Sequence, residues 1–294
     1  MSAAVIAAAL GGARRSGRGW LVRCPAHDDH NPSCSLADGE NGKLLVKCWA
    51  GCDSRDVLAA LRERGLLAGN PVAAHTRHRQ AENTKTDAQK YTARIEIALR
   101  WWRASRPAAD SPVATYLRGR GITLSLLPML RYHPALKHPD GGNWPAMVAL
   151  VQHGVDNRPI GIHRTFLARD GSGKAAVSPN KMMLGNVGGG AVRFAPVSEK
   201  LAVCEGLETA LSVQQATGIP TWAALSAGGI ECLLLPPLPL ASDIIIAADH
   251  DENGVGQRAA EHAAQRWVTE GRRVRIALPP CVGQDFNDVL QEAL

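Results

Sequence analysis

The sequence predicts a multidomain α/β protein with a small β module, a mixed α+β middle region and an α/β domain built on a mainly parallel sheet. Three observations lead to this prediction. Residues 198–294 alternate short apolar runs with helical segments, residues 1–67 hold closely spaced cysteine and histidine pairs, and residues 71–197 carry 18 Lys and Arg against 7 Asp and Glu. The chain of 294 residues has room for about two domains of ~100–200 residues, or for one domain and a small module.

The composition is that of a globular protein whose charge is unevenly distributed. Hydrophobic residues make up 45% and charged residues 20% of the chain, which excludes wholesale disorder and a fibrous fold. The net charge of +6 divides into +2 for residues 1–70, +11 for residues 71–197 and −7 for residues 198–294. This asymmetry indicates two functionally different surfaces.

Residues 1–67 are expected to form the first module. An apolar helix is predicted at residues 3–10, and residues 33–47 contain two apolar runs around a Gly-rich turn, which is typical of a β-hairpin. A periodic helix at residues 54–64 follows, with Asp53 or Ser54 as its N-cap.

Two cysteine and histidine pairs in this module predict one structural zinc ion. The pairs are Cys24-x2-His27 and Cys48-x3-Cys52, and two such knuckles supply four N/S ligands at tetrahedral corners. The module would then be a zinc ribbon. Cys34 is the spare thiol and His30 a weaker ligand candidate. The alternative is a set of unrelated buried thiols, since free cysteines are commonly buried.

The middle of the chain is divided into a linker at residues 68–88 and a basic region at residues 89–197. The linker is polar and lacks hydrophobic periodicity. A helix is predicted at residues 88–105, and two strands at residues 146–152 and 158–167 form a predicted hairpin.

Residues 198–294 read as alternating strands and helices. The predicted strands are 201–204, 221–225, 243–248 and 273–278, and the predicted helices are 208–217, 256–270 and 286–293. This alternation predicts a mainly parallel sheet covered on both faces.

Acidic residues follow two of these predicted strands. Glu205 comes after the first strand, and Asp249 and Asp251 come after the third. Ligands of open parallel sheets lie beyond the carboxyl ends of the strands, and carboxylate oxygens suit Mg²⁺. The sequence therefore predicts a site for one or two Mg²⁺ ions, with Mn²⁺ as a substitute and Asp285 as a further ligand. The alternative is that these acids are solvated or cap helices, as Asp288 and Glu208 are positioned to do.

The sequence lacks the motifs that are typical of several function classes. No G-x-x-x-x-G-K-[ST] loop and no G-x-S-x-G elbow occurs. No apolar run approaches the length of a membrane span. The positive charges at Arg14, Arg15 and Arg18 follow the N-terminal apolar run, whereas a signal peptide carries them before it. With seven cysteines read as free thiols or metal ligands, we expect a cytoplasmic protein without membrane partners.

The order of these features resembles bacterial-type DNA primases, especially those of phages and plasmids. Residues 24–61 look like the primase zinc-binding domain, although C-x3-C stands where replicative primases have C-x2-C. Residues 201–290 look like a Toprim domain, whose signature glutamate maps to Glu205 and whose Asp-x-Asp maps to Asp249 and Asp251.

The resemblance implies a function and further site residues. It implies synthesis of short RNA primers from ribonucleoside triphosphates on a single-stranded DNA template. A replicative helicase is a candidate partner, and the choice of partner stays open. Glu205, Asp249, Asp251 and Asp285 would be catalytic. Arg164, Lys174 and Lys181 would bind template or nucleotide, and Trp49 is a candidate surface for base stacking. Two alternatives stay open: a Toprim-type nuclease or nicking enzyme, and a non-catalytic DNA-binding replication accessory.

Overall fold

A computed structural model of the chain describes residues 2–17, 19–27, 29, 32–39, 43–48, 52–67, 76–125 and 128–294. Residues Met1–Ala81 and Glu82–Leu294 form two separate units. His30, Trp49 and the tip of the predicted 33–47 hairpin lie outside the described residues.

The N-terminal unit is a four-stranded antiparallel sheet with two helices. Its elements are α1 (Ala3–Leu10), β1 (Arg14–Ser16), β2 (Gly19–Val22), β3 (Cys34–Asp38), β4 (Leu44–Cys48) and α2 (Ser54–Glu63). The sheet order follows the chain, β1-β2-β3-β4. The predicted hairpin is the β3–β4 pair, and Asp53 caps α2 by accepting a hydrogen bond from the Arg55 amide at 2.8 Å. The β1–β2 hairpin was not predicted, because its strands are too short for a periodic signal.

Helix α1 packs on this sheet, as its apolar sequence predicts. Ile6 of α1, Leu36 of β3 and Leu61 of α2 are fully buried in one small cluster, together with the sulfur-bearing side chains of Cys24, Cys34 and Cys48. A core of this size contributes only a few kcal/mol, roughly 3–5 at most, so small units of this kind usually depend on a metal or a disulfide.

The second unit contains the remaining strands and helices, apart from the start of its first helix, whose residues 76–81 belong to the N-terminal unit. In its first part these are α3 (Thr76–Ala104), β5 (Arg106–Pro107), α4 (Pro112–Gly119), β6 (Leu130–Lys137), β7 (Asn143–His153), β8 (Pro159–Phe166), β9 (Lys181–Gly185) and β10 (Gly190–Arg193). In its second part they are β11 (Lys200–Cys204), α5 (Leu207–Thr217), β12 (Thr221–Ala223), α6 (Ala227–Cys232), β13 (Asp243–Ala247), α7 (Val255–Thr269), β14 (Arg273–Ala277) and α8 (Phe286–Glu292).

These strands form one ten-stranded sheet. Its order is β14-β13-β11-β12-β10-β7-β6-β5, and β8 pairs with β7 and β9. Strands β12, β11, β13 and β14 are parallel to one another, while β10 and the pairs from β5 to β9 are antiparallel. The predicted mainly parallel C-terminal sheet is therefore confirmed. Strands from both sides of residue 198 share this sheet, and the boundary drawn there from composition stays a prediction.

Helices cover both faces of the sheet. Helices α4, α5 and α8 pack on one face around Leu117, Met147 and Leu211. On the opposite face, α6 and α7 cover the parallel strands around Trp222 and Trp267, and the end of α3 covers β7 and β8 around Trp102 and Phe166.

Helix α3 corrects one expectation about the middle region. It starts at Thr76, so residues 76–88 of the predicted linker are helical, whereas residues 68–75 lie outside the described residues. Residues 76–88 are almost entirely polar, with Ala81 and Ala88 as their only apolar residues, so the sequence shows no helical hydrophobic period there. Among the described residues, no helix has the length and apolar character that a bilayer span requires.

Candidate metal centres and catalytic cleft

The four predicted zinc ligands lie together in the N-terminal unit. Strand pairing places Cys34 opposite both Val22 and Cys48, so the loop after β2, which carries Cys24, lies beside the end of β4. The ligand atoms of Cys24, His27, Cys48 and Cys52 all lie within 4.8 Å of one another.

These distances fit a tetrahedral Cys₃His zinc site. The Nδ1 atom of His27 is 3.1 Å from Sγ of Cys52 and 4.0 Å from Sγ of Cys48. With zinc–nitrogen bonds of about 2.0–2.1 Å and zinc–sulfur bonds of about 2.3 Å, a tetrahedral ion places nitrogen and sulfur about 3.6 Å apart, a value that lies between these two distances.

Asp29 supports the first knuckle. Its Oδ2 atom accepts hydrogen bonds from the Cys24 amide at 2.6 Å and the Ser33 hydroxyl at 2.6 Å, and its Oδ1 atom is 3.8 Å from Nε2 of His27. Such outer contacts orient metal ligands. Burial raises the pKa of the fourth thiol of this unit, Cys34, to about 12. Cys34 is therefore a neutral core side chain outside the cluster.

In the second unit, strand register brings the predicted carboxylates to one edge of the sheet. Cys204 at the end of β11 is opposite Ala247 at the end of β13, so Glu205 and Asp249 leave neighbouring parallel strands at nearly the same level. Asp251 lies just before α7, where its Oδ2 atom accepts a hydrogen bond from the Gly256 amide at 3.3 Å.

Asp285 reaches the same edge from the end of the chain. It is the N-cap of α8, and its Oδ1 atom accepts hydrogen bonds from the amides of Asn287 and Asp288 at 2.7 and 3.0 Å. Asp285 therefore has both the capping role and a place beside the other acids.

The electrostatics of this group fit a divalent cation. Burial, followed by the nearby Glu205, Asp285 and Asp251, raises the pKa of Asp249 to about 7, and burial and Asp251 also raise the pKa of Glu205. The Oδ1 atom of Asp249 is buried and has no hydrogen-bond partner among the described residues. Crowded carboxylates with a free oxygen suit Mg²⁺, which prefers oxygen ligands.

Glu205, Asp249 and Asp285 line a cleft of about 150 Å³, whereas Asp251 is not among its lining residues. Its charged and titratable side chains are those of Arg120, His163, Lys174, Lys181, Glu205, Glu208, Asp249 and Asp285. Two of the three predicted basic residues, Lys174 and Lys181, therefore face the predicted acids across this cleft.

The third basic residue, Arg164, does not line the cleft. Successive side chains of a strand point to opposite faces of the sheet, and His163, its neighbour on β8, takes the position in the cleft. Arg164 lies near the Phe166 ring, at 5.9 Å from the centroid, and donates a hydrogen bond to the Met183 carbonyl at 3.5 Å. Lys174 and Lys181 therefore line the cleft and Arg164 does not, and a binding role for any of the three stays a prediction.

Glu208 is the central cleft residue that the sequence reasoning missed. It is 3% exposed, accepts a hydrogen bond from the Tyr116 hydroxyl at 2.6 Å, and lies 3.7 Å from Nζ of Lys174 and 3.4 Å from Nζ of Lys181. Although burial opposes its ionisation, Lys181 and Lys174 hold the pKa of Glu208 down to about 2. Its place in the first turn of a helix after Glu205 gave only a helix-capping interpretation.

His163 predicts a pH dependence of stability. Burial lowers its pKa from 6.5 to about 4, so between these values the unfolded chain binds a proton that the native chain does not. Stability due to His163 is therefore lost as pH falls from 6.5 towards 4. We expect the difference in unfolding free energy between wild type and His163→Gln to shrink by roughly 2 kcal/mol between pH 7.5 and 5. Urea unfolding at both pH values measures this difference. His262→Gln, at an exposed histidine of α7, is the control, and an equal shift in both variants would contradict the assignment.

Comparison with known proteins identifies the C-terminal half of this unit. Residues 200–294 match the Toprim domain, and residues 92–194 match a domain of unknown function, DUF7146. The resemblance of residues 201–290 to a Toprim domain is thereby confirmed.

Among solved structures, the chain is similar to several primases at low identity. For the zinc-binding and RNA polymerase domains of the Aquifex aeolicus primase, identity is 14%, coverage is 99% of this chain and 80% of that chain, and the TM-score is 0.45. A DNA primase domain from Pseudomonas aeruginosa matches at 16% identity, with 69% and 74% coverage and a TM-score of 0.43. The primase fragment of the bacteriophage T7 primase-helicase matches at 18% identity, with 65% and 69% coverage and a TM-score of 0.39.

Proposed function

We propose that this chain, which carries a Toprim domain at residues 200–294, is a DNA primase that synthesises short RNA primers on single-stranded DNA in phage or plasmid replication. One observation carries the proposal. Strand-end carboxylates and the two lysines Lys174 and Lys181 line the same cleft. The carboxylates have the chemistry of a divalent-metal site, and the lysines suit the phosphates of a nucleotide or template. The zinc cluster of the N-terminal unit is the second element that the proposal requires.

In this proposal the strand-end acids and the two lysines have separate roles. Glu205, Asp249 and Asp251 hold one or two Mg²⁺ ions, with Asp285 as a further ligand. When bound, the metal supplies activation of a primer 3′-hydroxyl and neutralises charge on the α-phosphate and the pyrophosphate leaving group. Lys174 and Lys181 bind and orient the triphosphate or template phosphates by charge-assisted hydrogen bonds.

The N-terminal unit is proposed to bind single-stranded template. The Arg15 guanidinium of β1 lies 5.0 Å from the Trp20 ring centroid on the small sheet, and basic and aromatic groups together suit single strands. A replicative helicase is the proposed protein partner, and the cytoplasm the proposed compartment.

One assay separates the proposal from its alternatives. The full chain is incubated with single-stranded DNA, labelled ribonucleoside triphosphates and Mg²⁺, and in parallel with a labelled supercoiled plasmid. A primase yields short labelled RNA. Nicked plasmid without RNA would instead identify a Toprim nuclease, and DNA binding with neither product would identify a non-catalytic accessory.

Tyr116 is unsuited to act as the nucleophile of a topoisomerase-like nicking reaction. Such a reaction needs a tyrosine nucleophile, but Tyr116 is 4% exposed and its hydroxyl donates to Glu208. Burial and Glu208 raise its pKa far above the usual range, which opposes nucleophilic use.

The two faces of β8 and β9 give a matched test of the basic residues. Lys181→Met removes a cation that lines the cleft, and Arg164→Met removes one on the opposite face. We expect the first to raise KM for nucleotide and lower kcat/KM by about tenfold or more, the effect of losing a charge-assisted contact of ~1.5–3 kcal/mol. The second should leave kcat/KM within about twofold, because Arg164 lies outside the cleft and its replacement leaves the charges that line the cleft in place. Steady-state primer synthesis measures both, and equal losses would contradict the placement.

A further inference from the structure

Glu208 lies inside the cleft, yet the chain's own donors engage both of its carboxylate oxygens. Oε1 accepts the Tyr116 hydroxyl at 2.6 Å and lies 3.7 Å from Nζ of Lys174, and Oε2 lies 3.4 Å from Nζ of Lys181. The side chain is 4% exposed. These donors come from α4, from the loop before β9 and from β9 itself. Glu208 therefore has the position of a metal ligand but the contacts of an internal counter-ion.

The lysines that Glu208 engages have other acids within reach. The charge of Lys181 also acts on Glu205 and Asp249 across the cleft. Those two carboxylates are crowded together, and Asp249 has a buried oxygen without a partner among the described residues. A freely placed ammonium group would be attracted to these oxygens, where it would compete with a divalent cation for the same ligands.

We propose that Glu208 is a positioning residue that holds Lys181, together with Lys174, on the opposite side of the cleft and so keeps Glu205 and Asp249 free for the divalent metal. The proposal rests on the proposed function only for the presence of a metal at these acids. The hydrogen bond from Tyr116 fixes one Glu208 oxygen, whereas the negative charge of Glu208 holds the two lysines in place.

The test measures Mn²⁺ binding to the full chain by electron paramagnetic resonance, without template or nucleotide. Glu208→Gln keeps the shape of the side chain and removes its charge, so Lys181 is released towards Glu205 and Asp249. We expect the dissociation constant for Mn²⁺ to rise about tenfold, the usual effect of one neighbouring charge on a carboxylate. Tyr116→Phe removes a bond but no charge and should change Mn²⁺ affinity by less than about twofold.

The double variant Glu208→Gln/Lys181→Met decides between positioning and direct ligation. If Glu208 acts through Lys181, the double variant binds Mn²⁺ within about threefold of Lys181→Met alone. If Glu208 is itself a metal ligand, or only supports the fold, Glu208→Gln weakens Mn²⁺ binding by about the same factor with or without Lys181, and the proposal is overturned. If Glu208→Gln does not fold, the Lys181→Met variant provides the test. This variant should bind Mn²⁺ at least as tightly as wild type, and weaker binding would also overturn the proposal.

This experiment separates the inference from the proposed function. A chain that makes no primers but shows the rescue of Mn²⁺ binding would disprove the primase and leave the role of Glu208 standing. A chain that makes primers but shows no rescue of Mn²⁺ binding would support the primase and disprove the proposed role of Glu208.

Discussion

Replacement of Asp249 by asparagine is expected to lower primer synthesis by about 10³-fold, since bound metal supplies several kcal/mol to such reactions at 1.36 kcal/mol per factor of ten. Asp249 is the most perturbed acid of the cleft: burial and the nearby Glu205 raise its pKa to about 7, and its Oδ1 atom has no partner among the described residues. Asparagine keeps the size of the side chain and removes the charge that holds the cation. Glu205→Gln should act in the same direction.

A neighbouring acid provides the control for this loss. Glu252→Gln changes an exposed carboxylate in the same loop, next to Asp251, and should retain wild-type activity. Thermal unfolding without metal should show Asp249→Asn to be at least as stable as wild type, because a repelled, buried charge has been removed. An active Asp249→Asn protein, or equal losses of activity in the Asp249→Asn and Glu252→Gln variants, would refute the metal assignment.

Loss of a zinc ligand is expected to unfold the N-terminal unit. Cys48→Ala removes one of four ligands whose atoms lie within 4.8 Å of one another. Structural zinc contributes about 10–16 kcal/mol in zinc-finger peptides, which exceeds the few kcal/mol of a core this small. Metal analysis should find one zinc per wild-type chain and none in the variant. Hydrogen exchange should become fast in α1 and β3, while β11 and β13 in the other unit stay protected.

Cys34→Ala is the matched control for the zinc prediction. It makes the same truncation at a fully buried cysteine that is paired in register with Cys48 but lies outside the cluster. Only the cost of a small cavity, about 1 kcal/mol, is expected there, and zinc should be retained. Zinc retained in Cys48→Ala, or lost equally in both variants, would contradict the four-ligand assignment.

Local patterns predicted most of the C-terminal elements. Strands β11, β13 and β14 and helices α5, α7 and α8 were predicted within a few residues, because each is a short apolar run or an amphipathic repeat bounded by glycine or a cap. The sequence did not predict strands β6, β9 and β10 or helix α4. Their sequences mix prolines, basic residues and glycines, and long-range pairing in the sheet, rather than local preference, makes them regular.

The sequence by itself determined which residues are candidates for the two metal sites. Short spacings within each knuckle constrain where the side chains lie, so the sequence alone indicates Cys24, His27, Cys48 and Cys52. The carboxyl ends of neighbouring parallel strands meet at one edge of a sheet, so the sequence alone also indicates Glu205 and Asp249.

The tertiary structure alone decided which other charges share the cleft. The alternation of side chains along β8 places His163 in the cleft and Arg164 behind the sheet, and a one-residue shift in register would exchange them. Glu208 meets Tyr116 across 92 residues of sequence. A contact of that kind depends on how α4 and α5 pack on the same face of the sheet, and no local pattern in the sequence encodes it.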